Sequence, residues 1–407
     1  MAKKILVCEE LRKIDGPYSY GVLAGEWAFT SGMLPFDGQG RVAGSSSGIA
    51  DAAAQVEKSL SDLVRVFEVL GLSSAHVAKL KSYLSDVRHK DICQQGIRSR
   101  FSSNAPAQSY VGAFLPDVNA VVQIEGVATS GGSLKAISGK GSGGMVANKF
   151  AFSNFQEPAG EDGKLIGTGN LRAQVEYNLD RIGEFLAEAG LGFEDVIKVN
   201  GTVPAWYGFN RYTETFGKYF TEPFPARATV EGKLATQSAL IGFEVVAAKD
   251  ENRLTVESEV TASGHFALKK REDTIYVPEL PAAMAPHSHA VKIGDVVYIC
   301  GQIPYEPSGL MVGWGDIREQ TRKTMENLKY TIEAVGGQMN DIVKTNVSLT
   351  DPQMAPEFYE EYAKYFSAPY PAMTLVGAVL AQDSMVVEVE AIAVLGAADN
   401  AKVVVDK

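Results

Sequence analysis

The sequence predicts an α+β protein made of three tandem copies of one module about 120 residues long, because three unrelated landmarks recur with the same spacing. Lys79, Lys198 and Lys344, each leading into a β-prone run, lie 119 and then 146 residues apart. The dipeptides Pro106-Ala107, Pro225-Ala226 and Pro371-Ala372 repeat both offsets, and so do Glu125, Glu244 and Glu390. The longer second offset puts an insertion of 27 residues between the second and third copies. The expected modules are therefore 1–132, 133–250 and 286–407, with 251–285 as linker and insertion.

Each copy reads in the same order. An extended pair such as Trp27–Thr30 or Val296–Cys300 opens it, followed by a Gly-rich turn region. A helix comes next: Val56, Leu60, Leu63, Val64, Phe67 and Leu70 recur at helical spacing and Gly71 supplies the stop. Leu179, Ile182, Phe185 and Leu186 before Gly190 do the same, as do Leu328, Ile332 and Val335 before Gly336. A strand (198–203, 344–349), a second helix and two closing strands (373–379, 385–394) complete the order ββ, α, β, α, ββ. Gly131–Ser133 and Gly139–Gly144 have the composition of a flexible linker.

Composition narrows the function classes. With 407 residues, 45% apolar and 21% charged, the chain can bury several cores and is not a disordered one. A formal charge of −11 with no Lys/Arg stripe speaks against nucleic acid as a partner. Cys8, Cys93 and Cys300 are too scattered for a disulfide framework or a zinc cluster, which fits a reducing cytoplasm. The apolar run after Lys3 and Lys4 is too short for a signal peptide, and no stretch is long enough to span a bilayer. No phosphate loop, dinucleotide fingerprint or metal-ligand cluster is present, so no metal or organic cofactor is expected. His287 and His289, two apart, would project the same way from a strand, but a surface or hydrogen-bonding role fits them better than a metal half-site.

The third copy carries Gly301-Gln302-Ile303-Pro304, Gly315-Asp-Ile-Arg-Glu-Gln-Thr321, Asp341-Ile-Val-Lys-Thr345 and Val387-Glu-Val-Glu-Ala-Ile-Ala393. The first carries Gly16-Pro-Tyr-Ser19 and Thr30-Ser-Gly32, and the second Phe224-Pro-Ala-Arg227. With these motifs the module resembles the Rid (reactive-intermediate deaminase, YjgF-type) family, of chorismate-mutase-like fold, and the resemblance covers nearly the whole chain. It implies a single-chain pseudo-trimer with a central β-barrel, outer helices and ligand clefts between neighbouring modules. Further oligomerisation is left open.

The resemblance also implies site residues. In deaminating members the arginine of Pro-Ala-Arg clamps the substrate carboxylate, and a glutamate of the last strand positions the hydrolytic water. A planar guanidinium suits a carboxylate, and a carboxylate suits orienting or deprotonating water near an imine carbon. The arginine position holds Gln108, Arg227 and Met373 in the three copies, and the glutamate position Gln123, Gly242 and Glu388. One clamp and one carboxylate remain, on different modules. The family tyrosine aligns with Tyr18, with Gly141 and with His287, and the Thr-Ser-Gly turn with Ser153-Asn-Phe155 and Ile299-Cys-Gly301. Glu388 and Arg227 are thus the catalytic candidates, and Arg227, Tyr18, His287 and Cys300 the substrate-binding ones. A plain structural arginine, packing tyrosine or inert thiol is the competing reading. Glu125, Glu244 and Glu390 occur in every copy and fit a structural role.

If Arg227 faces the third module, Glu388 and His287 complete one composite cleft; with the opposite ring order it would lie near Tyr18 and Gln123. The leading functional expectation is hydrolytic deamination of an imine or enamine bearing a carboxylate. A repurposed hydrolase or lyase, as in chorismatases of similar fold, and a non-catalytic ligand-binding or scaffold protein are the alternatives.

Overall fold

The computed structural model describes residues 2–8, 11, 15–46, 49–101, 105–139, 142–259 and 271–406. Within them the chain forms a seven-, a six- and a seven-stranded sheet, one per module. The shared pattern is an antiparallel meander followed by a parallel pair at one edge. In the first module Gly21–Ala24, Trp27–Thr30, Val122–Thr129, Val77–Leu84 and Ala107–Gly112 lie in that spatial order.

The repeated landmarks turn out to be cross-strand neighbours. Lys79 pairs with Ala107, Lys198 with Ala226 and Lys344 with Ala372, in identical parallel register. On the other side Lys81 faces Glu125, Asn200 faces Glu244 and Asn346 faces Glu390. The equal offsets thus record one register used three times.

Each module carries an 18-residue helix, Ala52–Val69, Leu171–Glu188 or Ile317–Ala334. Asp51, Asn170 and Asp316 cap the N-termini by accepting backbone N–H groups of the first turn. The stops are the expected glycines: Gly71, Gly190 and Gly336 sit at φ of 90°, 77° and 81°, where a Cβ would be strained. A second helix, Lys90–Arg100, Phe209–Phe216 or Ala355–Tyr362, lies in the connection between the two parallel strands.

These helices cover one face of each sheet, building three separate outer cores. The opposite faces meet in a single inner core to which all modules contribute, including Phe29, Phe152 and Val291. Trp27 packs edge-on against Phe150 at 5.1 Å between centroids, and Phe150 lies 6.4 Å from Tyr298. Isolated bridges, Ala226 to Ser288 and Ser19 to Ala372, link neighbouring sheets. The hydrogen-bond ladders therefore group into three sheets, not into one continuous barrel ladder.

Buried ion pairs fix the order of modules around the core. Lys79 reaches Glu244 (2.8 Å), Lys198 reaches Glu390 (2.6 Å) and Lys344 reaches Glu125 (2.7 Å). The same lysines donate to the carbonyls of Ser153, Ile299 and Thr30 of the next module. The first module thus leans on the second, the second on the third and the third on the first.

Two boundaries differ from the sequence expectation. Segment 251–285, read as linker and insertion, supplies strands Leu254–Ser258 and Thr274–Val277 to the third sheet. The last strand, Asn400–Asp406, belongs to the first sheet, running parallel to Ala2–Cys8. Leu254–Ser258 lies between Thr274–Val277 and Ala290–Ile293, whereas Thr274–Val277 and Asn400–Asp406 lie at sheet edges. Among the described residues no helix is long and apolar enough to cross a membrane.

Candidate functional site

Strand Ala226–Glu231 lies at the edge of the second sheet and faces the third module. Ser288 seats there: its N–H donates to Pro225 O (3.1 Å) and its hydroxyl to Phe224 O (2.7 Å). Ser19 makes the same two bonds to Pro371 O and Tyr370 O. The aligned pair His287 and Tyr18 therefore occupies equivalent places in two different clefts. A small cavity of about 100 Å³ between the second and third modules is lined by Arg227, His287, Gly301 and Glu388.

Arg227 is 5% exposed. Helix Phe209–Phe216 closes over it, with the guanidinium carbon 4.2 Å from the ring centre of Tyr212, 4.7 Å from Phe216 and 5.4 Å from Phe209. Its Nε reaches Thr229 Oγ1 at 3.5 Å, and neither Nη1 nor Nη2 has a hydrogen-bond partner. Burial lowers its pKa from the ordinary value, but arginine starts so high that it stays charged. Aromatic faces offset part of that desolvation cost. What they cannot supply is an acceptor for the two terminal nitrogens.

Across the cavity, Glu388 is 7% exposed. Its carboxyl lies where a Gly301 side chain would be: a Cβ there would come within 1.8 Å of Oε1. The ladder between Val296–Gln302 and Val387–Val394 is irregular from Ile299 to Gln302, which makes room at this turn. Burial, with Glu390 adding to it and Lys198 opposing, raises the Glu388 pKa to about 8. The group is thus a neutral acid at pH 7 and forms no ion pair with Arg227. His287, half-buried, is pushed down to about 3 by burial, His289 and Arg227, so it is a neutral imidazole. One buried guanidinium, one neutral carboxyl and one neutral imidazole face the same small space, and the only full charge among them is positive.

Tyr18 does not join them. It lines the cleft between the third and first modules, with Gln123 and Met373, and packs against Tyr359 at 6.0 Å. Cys300 also departs from the expectation. It is 1% exposed, belongs to the inner core, accepts from Gln302 Nε2 at 3.1 Å, and is pushed up to about 12 by burial. An unreactive thiol beside the site is the result. His289 bonds Pro281 O through Nε2 (2.9 Å), and no group of three or more metal-type ligands occurs among the described residues. Gly141 lies outside the described residues.

The cleft between the first and second modules is closed by a reciprocal exchange. Where Gly32 and Gly301 leave space for Gln123 and Glu388, the second module has Phe155 facing Gly242, and a Cβ on Gly242 would meet the Phe155 ring at 2.4 Å. The bulky partner has moved from one strand to the other. Both residues were visible in the sequence, but only their contact explains them. The aromatic box around Arg227 was likewise hidden, since helix spacing alone reads Tyr212 and Phe216 as core.

The Ribonuc_L-PSP family, described as endoribonuclease L-PSP, matches residues 10–130, 135–249 and 277–395. A RutC family protein of Pyrococcus horikoshii is 36% identical over 122 residues, covering 30% of this chain and 97% of its own length. A protein of Dermatophagoides farinae named 2-iminobutanoate/2-iminopropanoate deaminase is 31% identical over 121 residues, 30% of this chain and 94% of its own. A chorismatase crystal structure is similar over 78% of this chain and 93% of its own, with a TM-score of 0.54 and 13% identity, a likeness of fold alone.

Proposed function

Because the chain belongs to the Ribonuc_L-PSP family, with three copies of its Rid/YjgF domain, we propose that the cleft between the second and third modules hydrolyses a short 2-imino or 2-enamino acid. The observation that carries this reading is the buried Arg227 guanidinium whose Nη1 and Nη2 lack partners. A desolvated cation without a counter-charge is costly, and a ligand carboxylate relieves that cost through two parallel charge-assisted bonds. The small cavity volume favours a substrate of few heavy atoms. The deaminase relative named above acts on short-chain acids of that kind by its name.

In this reading the carboxylate docks on Arg227 and the C=N carbon lies toward Glu388. The protonated Glu388 carboxyl gives its proton to the imine nitrogen. The resulting carboxylate then takes a proton from the attacking water, whose oxygen bonds to carbon. Glu388 then gives its proton to the amino nitrogen and takes the proton of the new hydroxyl, so that the C–N bond breaks as the C=O forms and ammonia and the 2-keto acid are released. A pKa close to the working pH suits a group that both donates and accepts. The cleft carries one cation and the chain an overall charge of −11, so an RNA backbone is a poor fit despite the family's description.

The test is ammonia release from 2-imino acids generated in situ by an amino-acid oxidase. Turnover above the uncatalysed rate is expected. Arg227→Ala should weaken binding of a 2-keto acid product at least tenfold, since bonds to a charged group are worth about 1.5–3 kcal/mol each. Binding without turnover would favour the ligand-binding reading, and loss of neither would remove the site altogether.

A further inference from the structure

The cleft between the third and first modules is the largest cavity described here, about 530 Å³, within the ~300–1,000 Å³ range of small-molecule sites. It has neither been plugged, as its counterpart at Phe155 has, nor kept its clamp. Met373 stands where Arg227 stands in the second module, and Gln123 where Glu388 stands in the third. Tyr18, Tyr20 and Tyr359 supply aromatic walls, and Met373 and Leu375 an apolar floor.

Gln123 fixes the polarity of the site. It is 3% exposed, and its Nε2 donates to Gly32 O at 3.2 Å. That bond sets the amide's orientation, because a flipped amide would place oxygen against oxygen. Its Oε1 is buried without a hydrogen-bond partner. Gln123 lines the cavity, so this acceptor awaits a donor there. Asp15, Asp62 and Asp117 also line the cleft, Asp62 paired with Lys58 at 2.7 Å, and no Lys, Arg or His lines it among the described residues. The charged side chains that line it among the described residues are thus acidic, where the other cleft presents the Arg227 cation.

We infer that this cleft is a second ligand site and takes a protonated aromatic amine, with its N–H on Gln123 Oε1 and its ring among Tyr18, Tyr359 and Met373. Tyrosine faces and carboxylates both favour a cation, and the former also bury a ring. Because it shares no residue with the Arg227 cleft, it stands or falls independently of the reaction proposed there.

The experiment is calorimetric titration of the full chain with 2-phenylethylamine, followed by competition with 3-phenylpropionate, a carboxylate of similar size. Saturable one-site binding with Kd below ~1 mM is expected, and 3-phenylpropionate should fail to displace the amine. Gln123→Met fills a similar volume and removes the acceptor, and should weaken the amine roughly fivefold. Met373→Arg should weaken it about tenfold or more, since a cation now occupies the floor. Circular dichroism confirms that each variant is folded, and if Met373→Arg is not, Gln123→Met decides alone. Absence of saturable amine binding, displacement by 3-phenylpropionate, or an affinity unmoved by Gln123→Met would each overturn the assignment.

Discussion

Replacing Lys344 by methionine is expected to lower the unfolding free energy by about 3–5 kcal/mol, the usual cost of stranding one member of a buried ion pair. Lys344 is buried, 2.7 Å from Glu125, and also donates to Thr30 O and Thr374 Oγ1. Methionine fills much of the same volume but leaves the Glu125 carboxylate with Asn346, the Tyr83 hydroxyl and the more distant Lys81. Adding Glu125→Gln to Lys344→Met should recover a large part of the loss, because the pair is then neutral on both sides. Urea denaturation of the wild type, both single variants and the double variant measures the coupling. Additive effects of the two substitutions would mean that the ring of lysines and glutamates does not hold the modules together.

Glu388→Gln should reduce turnover by about a hundredfold or more, the usual share of a general acid–base group, with little change in ligand affinity at pH 7. The pH dependence follows from the sign of its shift. With a pKa raised from 4.5 to about 8, Glu388 is neutral up to that pH and accepts a carboxylate ligand nearby. Above it, the ionised group repels the ligand, so affinity should fall as pH rises through 8 in the wild type and stay flat in Glu388→Gln. Stability follows the same linkage: the folded state keeps a proton that the unfolded state releases near pH 4.5. Stability is therefore full below that value and drains away as pH rises to about 8. Glu388→Gln should melt higher than the wild type at pH 8.5 and alike at pH 4, a stability gained at the expense of activity. Equal melting at both pH values would show that the carboxyl is not held protonated.

The repeat, the helices and their glycine stops were legible because periodicity and turn chemistry are local. The composite nature of the cleft was legible only through the resemblance, since Arg227 and Glu388 are far apart in sequence and nothing in their spacing joins them. What could not be read were properties that arise from contact. The aromatic box needs helix Phe209–Phe216 folded over the strand. The plug at Phe155 needs Gly242 opposite it. Cys300 looked like a cleft residue because it neighbours Gly301 in the turn, yet successive strand residues point to opposite faces and its thiol goes inward. The strands at 254–258 and 274–277 escaped because each is only five or four residues long and lies in a stretch that the repeat spacing marks as inserted.

The pairing of residues 2–8 with residues 400–406 gives the chain the topology of a clasped loop. A parallel ladder between segments separated by nearly the whole described sequence pays the largest loop-closure entropy available to this chain. During synthesis, which proceeds from the N-terminus, the first sheet must wait with an open edge until the last strand has left the ribosome. The first module to be made is in that respect the last to be finished. An unpaired edge invites other strands, so the interval before the clasp closes is when this protein is most exposed to misassembly, and cutting off the last strand would make that interval permanent.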